Sequence, residues 1–193
     1  MKKLSTSKQM AINMVAAIVS FLIGTGINFV LAPYLVKELG SETYGFIGLA
    51  NNFVQYATIV TSALNSMSGR FISIEYSKGN IDKASRYFSS VLVADLIIAG
   101  VLLLVSSIIT FNIEFILNVP ENLVDSVKIL FALTFATFII SVITAIFTTA
   151  AFVKNKLYIN SLRDIASNTL KLLLVVILFS FFPAKVYFIA MAS

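Results

Sequence analysis

Cysteine and histidine are both missing from the 193 residues. Their absence removes disulfide frameworks, thiolate and imidazole metal ligation, cysteine nucleophiles and every Ser-His-Asp arrangement. Any catalysis would have to run on Asp, Glu, Lys, Tyr or Ser, and neither a metal site nor a cofactor is expected. Charge is scarce too: 12% of the residues are charged, against about 25% in a typical soluble domain. The hydrophobic share is 59% and the mean hydropathy is +0.95, which excludes an ordinary water-soluble fold. What remains is a polytopic membrane protein. The net charge of +5 raises the question of nucleic acid, and the placement of the charges answers it.

Crossing a hydrocarbon layer takes about 20 apolar residues. No charge interrupts 9–36 or 43–69, only Asp95 lies between Arg86 and Glu114, and nothing interrupts 129–153. A fifth apolar stretch, 165–184, holds Lys171. We therefore expect an all-α membrane bundle with spans at about 10–36, 43–69, 87–110, 129–153 and 165–184. Residues 186–193 reach about 12 Å, too short to cross, so a truncated sixth span is expected there and the sequence reads as a fragment. The first stretch is about twice the 7–15 residues of a signal-peptide core and is expected to stay in the protein.

The basic residues orient this bundle. With the N-terminus cytoplasmic, Lys2, Lys3, Lys8, Arg70, Lys78, Lys83, Arg86, Lys154, Lys156 and Arg163 fall inside, and only Lys37, Lys128 and Lys185 outside. That asymmetry is the positive-inside pattern, and it explains the net charge with no nucleic acid partner. The connections are short. Residues 37–42 form an outer turn, and Lys78-Gly79-Asn80 a cytoplasmic one in which Asn80 is placed to cap the next helix. Outside, 111–119 is apolar enough to lie in the interface, and Pro120 opens the fourth helix near its first position.

Polar residues recur in register within the spans. Thr134, Thr137, Ser141, Thr144 and Thr148 form one stripe, and Gln55, Thr58, Ser62, Asn65 and Gly69 another. Asn13, Ala17, Ser20, Gly24 and Asn28 make a narrower face, with Ala16, Ser20 and Gly24 as a ridge of small residues. Close helix packing explains small and hydroxylated residues; a water-accessible cavity explains the larger amides of the second span. Gly24, Gly26 and Pro33 allow either a passive kink or a hinge. Asp95, near the middle of its span, must face protein or water, either paired to an amide or hydroxyl or coupling an ion. Lys171 either snorkels to the cytoplasmic edge or faces substrate, and Arg70 either anchors to lipid phosphate or receives an anionic ligand.

A further pattern runs through the first two spans: Gly26-Ile-Asn28, Leu31-Ala32-Pro33-Tyr34-Leu35, Leu39-Gly40, Tyr44-Gly45, Leu49-Ala50, Tyr56 and Arg70. Downstream come Asn155-Lys156, Asn160 and Asn168. Together these resemble the polysaccharide-transporter (O-antigen-type flippase) branch of the multidrug/oligosaccharidyl-lipid/polysaccharide exporter superfamily. The resemblance implies two six-helix lobes around a central cavity, the second of which is missing here. It also implies alternating-access movement of oligosaccharides on undecaprenyl pyrophosphate across the cell membrane, with polysaccharide assembly proteins as further partners. Substrate-cavity candidates are then Gln55, Asn65, Arg70, Thr137, Ser141, Thr144 and Lys171, with Asp95 for ion coupling. A lipid II flippase or a drug exporter of the same superfamily is the alternative. A polytopic glycosyltransferase or polymerase would need larger outer loops than these.

Overall fold

The computed structural model describes residues 6–192, apart from the side chains of Thr6, Val60, Leu64 and Ala150. Its elements are α1 (Thr6–Leu39), α2 (Ser41–Ser77), α3 (Ile81–Phe111), α4 (Ile113–Ile116), a 3-10 turn (Glu121–Leu123), α5 (Val124–Val153), α6 (Tyr158–Phe181) and α7 (Tyr187–Met191). The all-α expectation holds, with no strand among the described residues. Lys2 and Lys3, placed at the basic end from sequence, and Ser193, the last residue of the sixth stretch, lie outside the described residues.

The long helices run past the charge-free windows, because a window ends at the first charge and a helix ends where its backbone groups are capped. The fifth stretch shows this most clearly. Its helix starts at Tyr158 rather than 165, with Arg163 and Asp164 exposed and paired at 3.0 Å in its second turn. It stops at Phe181 rather than 184, because Pro183 pushes the preceding Phe182 to φ −129°, ψ 154°. Helix α1 passes through Pro33 without ending. Gly40 alone joins α1 to α2 at φ 80°, ψ 155°, a region essentially reserved for glycine, in which an L side chain costs about 1–3 kcal/mol.

Stretches Ser7–Leu39, Ile81–Phe111, Glu121–Val153 and Tyr158–Phe181 are long and apolar enough to cross a membrane, with hydropathies of 2.2, 2.7, 2.5 and 1.7. Their outward surfaces remain bare: Phe21 is 70% exposed, Phe29 79% and Leu104 65%. Apolar surface left this open belongs against lipid or another apolar partner. Helix α2 has the length, at 37 residues, but Asn51, Asn52, Gln55 and the hydroxyls after them dilute its apolar character.

Helices α2, α3 and α5 pack together, α1 packs along α6, and α7 wedges between α5 and α6. Two apolar clusters close the end that carries Gly40. One joins Phe46 and Ala50 to Phe131, Phe135, Val186 and Ala190; the other joins Leu31 and Leu35 to Val175 and Ile189. A smaller cluster of Ile72, Ala84 and Ile146 closes the opposite end. In the stretch 111–119, Ile113, at 0% exposure, joins the first cluster with Leu117 and Val119 packed on it, while Phe111, Phe115 and Ile116 point outward at 76%, 84% and 48% exposure.

At the opposite end, Asn80 sits at the N-cap position of α3 but makes no capping bond with its side chain. Its Nδ2 donates to Glu75 Oε2 at 3.0 Å, a charge-assisted bond that holds the amide toward α2, and its Oδ1 accepts no α3 N–H. Lys78 and Lys83 stand 3.5 and 3.7 Å from the same carboxylate. The Asn80 bond first, then the two ammonium charges, hold Glu75 below its ordinary value against an opposing push from desolvation. Its folded value lies below its unfolded one, so its contribution is complete above the ordinary range and is lost as pH falls through the lowered value. Glu75→Gln should therefore flatten the acid limb of thermal stability between about pH 3 and pH 6. An acid limb unchanged in the variant would contradict this account.

The connection from α5 to α6 is held from a distance. Asn13 of α1, only 8% exposed, donates from Nδ2 to the Asn155 carbonyl at 3.2 Å and to Asn155 Oδ1 at 2.9 Å. Its own Oδ1 accepts the Tyr158 N–H at 3.1 Å, capping α6 from another helix. Asn155 takes φ 53°, a conformation asparagine tolerates better than most residues. Asn13→Ala should cost about 1–3 kcal/mol in thermal unfolding, because it strands the Tyr158 N–H and the Asn155 acceptors. Asn13→Asp keeps the acceptor and loses the donors, so it should fall between the two. An alanine variant as stable as the parent would show the clamp to be idle.

A polar trough between two helices

Between the apolar clusters, the seam of α2 and α5 is polar. Three cavities follow one another along it. The first, about 220 Å³, is lined by Asn51, Thr134, Thr137, Ser141 and Lys171 and floored by Ile189 and Ala190 of α7. The second, about 400 Å³, brings Thr58, Thr61, Ser62 and Asn65 against Ser141, Thr148 and Thr149. The third, about 700 Å³, holds Asn65, Ser66, Arg70, Ser73, Thr148 and Asn160. Ser141 is common to the first pair, and Asn65, Ser66, Thr148 and Thr149 to the second, so the cavities form one trough. From Asn51 to Arg70 it spans 19 residues of α2, about 28 Å, close to the thickness of a hydrocarbon layer.

The helices approach tightly along it. A Cβ on Gly69 would lie 3.3 Å from Thr149 Cγ2, so this glycine sets how closely α2 and α5 cross near the Arg70 end. Most trough hydroxyls donate to carbonyls of their own helix: Thr58 to Val54 at 2.8 Å, Ser62 to Ile59 at 3.1 Å, Thr137 to Leu133 at 3.0 Å, Ser141 to Phe138 at 2.7 Å and Thr148 to Ala145 at 2.6 Å. With their hydrogens used, these groups present acceptor lone pairs to the trough. Asn65 Oδ1 and Ser73 Oγ are buried without partners. Donors come from the amides of Asn51 and Asn160 and from two cations, Lys171 at one end and Arg70 at the other. No carboxylate lines any of the three cavities.

Of the candidates named from sequence, Asn65, Arg70, Thr137, Ser141 and Lys171 meet in the trough. Gln55 and Thr144 are exposed and line none of these cavities; both lie at the margins of their stripes, and Thr144 bonds back to Ile140 at 2.9 Å. Asn51, Ser66 and Thr149 belong to the site and were not singled out from sequence; Asn160, named there only in the resemblance pattern, belongs to it as well. Lys171 lies 13 residues from the start of α6 and seven past the half-exposed Asp164, and its side chain lines the first cavity. Gly24 faces α6, where a Cβ would lie 3.4 Å from Asn168 Nδ2, so it serves packing of α1 on α6; Gly26 faces open space.

Asp95 is set apart from the trough. It sits on the face that α3 turns toward α2 and α5, at 2% exposure. By register it lies between the layer where Phe88 meets Phe147 and the layer where Leu102 meets Ala57 and Phe138. The amide or hydroxyl partner expected for it is not there: Oδ2 is buried with no hydrogen bond, and no ion pair among the described residues includes it. The sequence shows the carboxylate's depth but not its neighbours, which come from two other helices.

The uncharacterized membrane protein EpsK of Bacillus subtilis (strain 168) is 33% identical to this chain over 182 residues. The alignment covers 94% of the chain and 36% of that relative, so the chain spans about a third of the relative's length. No protein-family model matches the chain, and no solved structure matches it. With this similarity and the apolar helices described above, the chain is a membrane protein with transmembrane helices.

Proposed function

We propose that the chain is the first lobe of a flippase, which moves an oligosaccharide on undecaprenyl pyrophosphate from the cytoplasmic to the outer leaflet of the cell membrane by alternating access. In this reading α2 is a span as well, its polar face turned to the trough, giving five complete spans and the start of a sixth with the N-terminus cytoplasmic. The greater length of the similar membrane protein leaves room for a second lobe to face the trough.

The observation that carries the reading is the carboxylate-free trough with a cation at each end. A sugar-phosphate head group loses hydration on entering hydrocarbon, at a cost of several kcal/mol for each unpaired polar group. Acceptor lone pairs along α2 and α5 suit the hydroxyl donors of sugars, and Lys171 and Arg70 suit the oxygens of a pyrophosphate. A cation-exporting drug transporter would call for a carboxylate where this trough has none. A glycosyltransferase or polymerase would call for larger outer loops, whereas Gly40 alone joins α1 to α2 on that side.

Proteoliposomes holding the intact transporter and a fluorescent lipid-linked oligosaccharide in both leaflets test this. A membrane-impermeant quencher should reach the inner-leaflet population in the presence of the protein. Quenching no faster than in protein-free liposomes would remove the proposal.

A further inference from the structure

A second, apolar cavity shares a wall with the Lys171 end of the trough. It measures about 230 Å³ and lies between α2, α3 and α5, lined by Ala57, Leu102, Val105, Ile109, Phe135 and Ile139 among others. Tyr56 and Ser106 bring its two hydroxyls, and that of Ser106 donates to the Leu103 carbonyl at 3.1 Å; the other nine lining residues are apolar. An apolar cavity of about 150 Å³ already admits a molecule the size of benzene. Val54 and Phe138 line this cavity and the Lys171 cavity alike, so a single layer of side chain separates them. On one side of that layer stands a lysine with no acidic partner among the described residues; on the other there is no charge.

We propose that this pair of cavities is a binding site for an anionic lipid, its phosphate beside Lys171 and one hydrocarbon chain passing over Val54 and Phe138 into the apolar cavity. The inference rests on the flippase reading for the phosphate in the trough and adds a seat for the tail in a crevice between α2, α3 and α5 that opens outward at Tyr56 and Val105, 71% and 48% exposed. Two observations commit the site to one occupant. The unpaired ammonium is complementary to a phosphate, and an uncharged cavity walled mostly by aliphatic and phenyl side chains is complementary to a chain. Neither alone distinguishes a lipid from a free anion or a free hydrocarbon; their common wall does. Tethering raises the effective concentration of each half of the ligand at its own cavity, so the two halves bind more tightly joined than apart.

The test uses the intact transporter in phosphatidylcholine nanodiscs, with phosphatidic acid carrying a photoactivatable group midway along one chain. Crosslinks should map by mass spectrometry to Ala57, Leu102 and Ile139. Unlabelled phosphatidic acid should compete at least ten-fold better than phosphatidylcholine, and inorganic phosphate should not compete. Ile139→Trp and Leu102→Trp, each filling the apolar cavity, should remove these crosslinks, and Lys171→Met should weaken them about ten-fold. Equal labelling by a zwitterionic probe, labelling confined to the outward-facing Phe21 and Leu104, or labelling that survives both tryptophan variants would overturn the site. If a tryptophan variant loses the crosslinks yet moves lipid-linked oligosaccharide at the parent rate, the tail seat serves no part of transport, and the flippase reading stands without it.

Discussion

Lys171→Met is expected to leave a transporter that is at least as stable as the parent and nearly inactive. The two effects have different origins. The ammonium is held about 20 Å inside α6 with no carboxylate beside it, so removing its charge relieves a desolvation cost, and a methionine of similar length fills the space. The same charge supplies the strongest donor at that end of the trough. Losing a charge-assisted bond to phosphate costs about 1.5–3 kcal/mol, or about 10- to 150-fold in affinity. Lys171→Arg keeps the charge and should keep much of the activity. A purely structural lysine cannot produce this divergence, because its loss would lower stability and activity together. Flipping in proteoliposomes, measured beside thermal unfolding in detergent, separates the outcomes; full activity in the methionine variant would remove Lys171 from the transport path.

Asp95→Leu carries the next largest effect, and its sign is set by what Asp95 lacks. A partnered carboxylate would make the leucine variant less stable by stranding the partner. The buried Oδ2 here has no partner, so the side chain contributes only the cost of its own burial, and leucine fills the site with apolar atoms. On insertion scales a central aspartate costs about 2.5–3.5 kcal/mol, an upper bound on the gain. Thermal stability in detergent is expected to rise, by about 1–3 kcal/mol once incomplete relief is allowed for. Should the stabilised variant also lose gradient-dependent flipping, the carboxyl is retained for coupling at the expense of stability. A variant that is less stable than the parent would mean that Asp95 has a partner after all.

The helices and the faces of α2 and α5 are legible in the sequence because both follow from local periodicity. Thr58, Ser62, Asn65, Thr137, Ser141 and Thr148 stand at three- and four-residue steps and share the trough. Periodicity gives a direction around one helix and says nothing of how far the neighbour reaches, which is why Gln55 and Thr144 fall outside while Asn51 and Thr149 fall within. The start of α6 is not local at all. It is set by Asn13, 145 residues before the Tyr158 N–H that it caps, and no composition window detects such a bond. Glu75 is a similar case on a smaller scale: Asn80 has the residue type and position of a cap, yet its Nδ2 bond to the Glu75 carboxylate orients the amide toward α2. The emptiness around Asp95 is likewise a property of packing.

The central claim is that the α2–α5 seam is a water-filled path rather than a packed interface, and cysteine accessibility tests it most directly because the native chain has no cysteine. Ser62→Cys, Asn65→Cys, Ser141→Cys and Thr148→Cys, placed singly in the intact transporter, should react with a small water-soluble thiol reagent. Val127→Cys, Ile146→Cys and Val175→Cys, each at a position 0% exposed and lining none of the three cavities, should resist it. Adding lipid-linked oligosaccharide should slow the reaction at the trough positions and leave the others unchanged. Equal protection of both sets would contradict the account and leave the hydroxyl stripes as helix-packing surfaces.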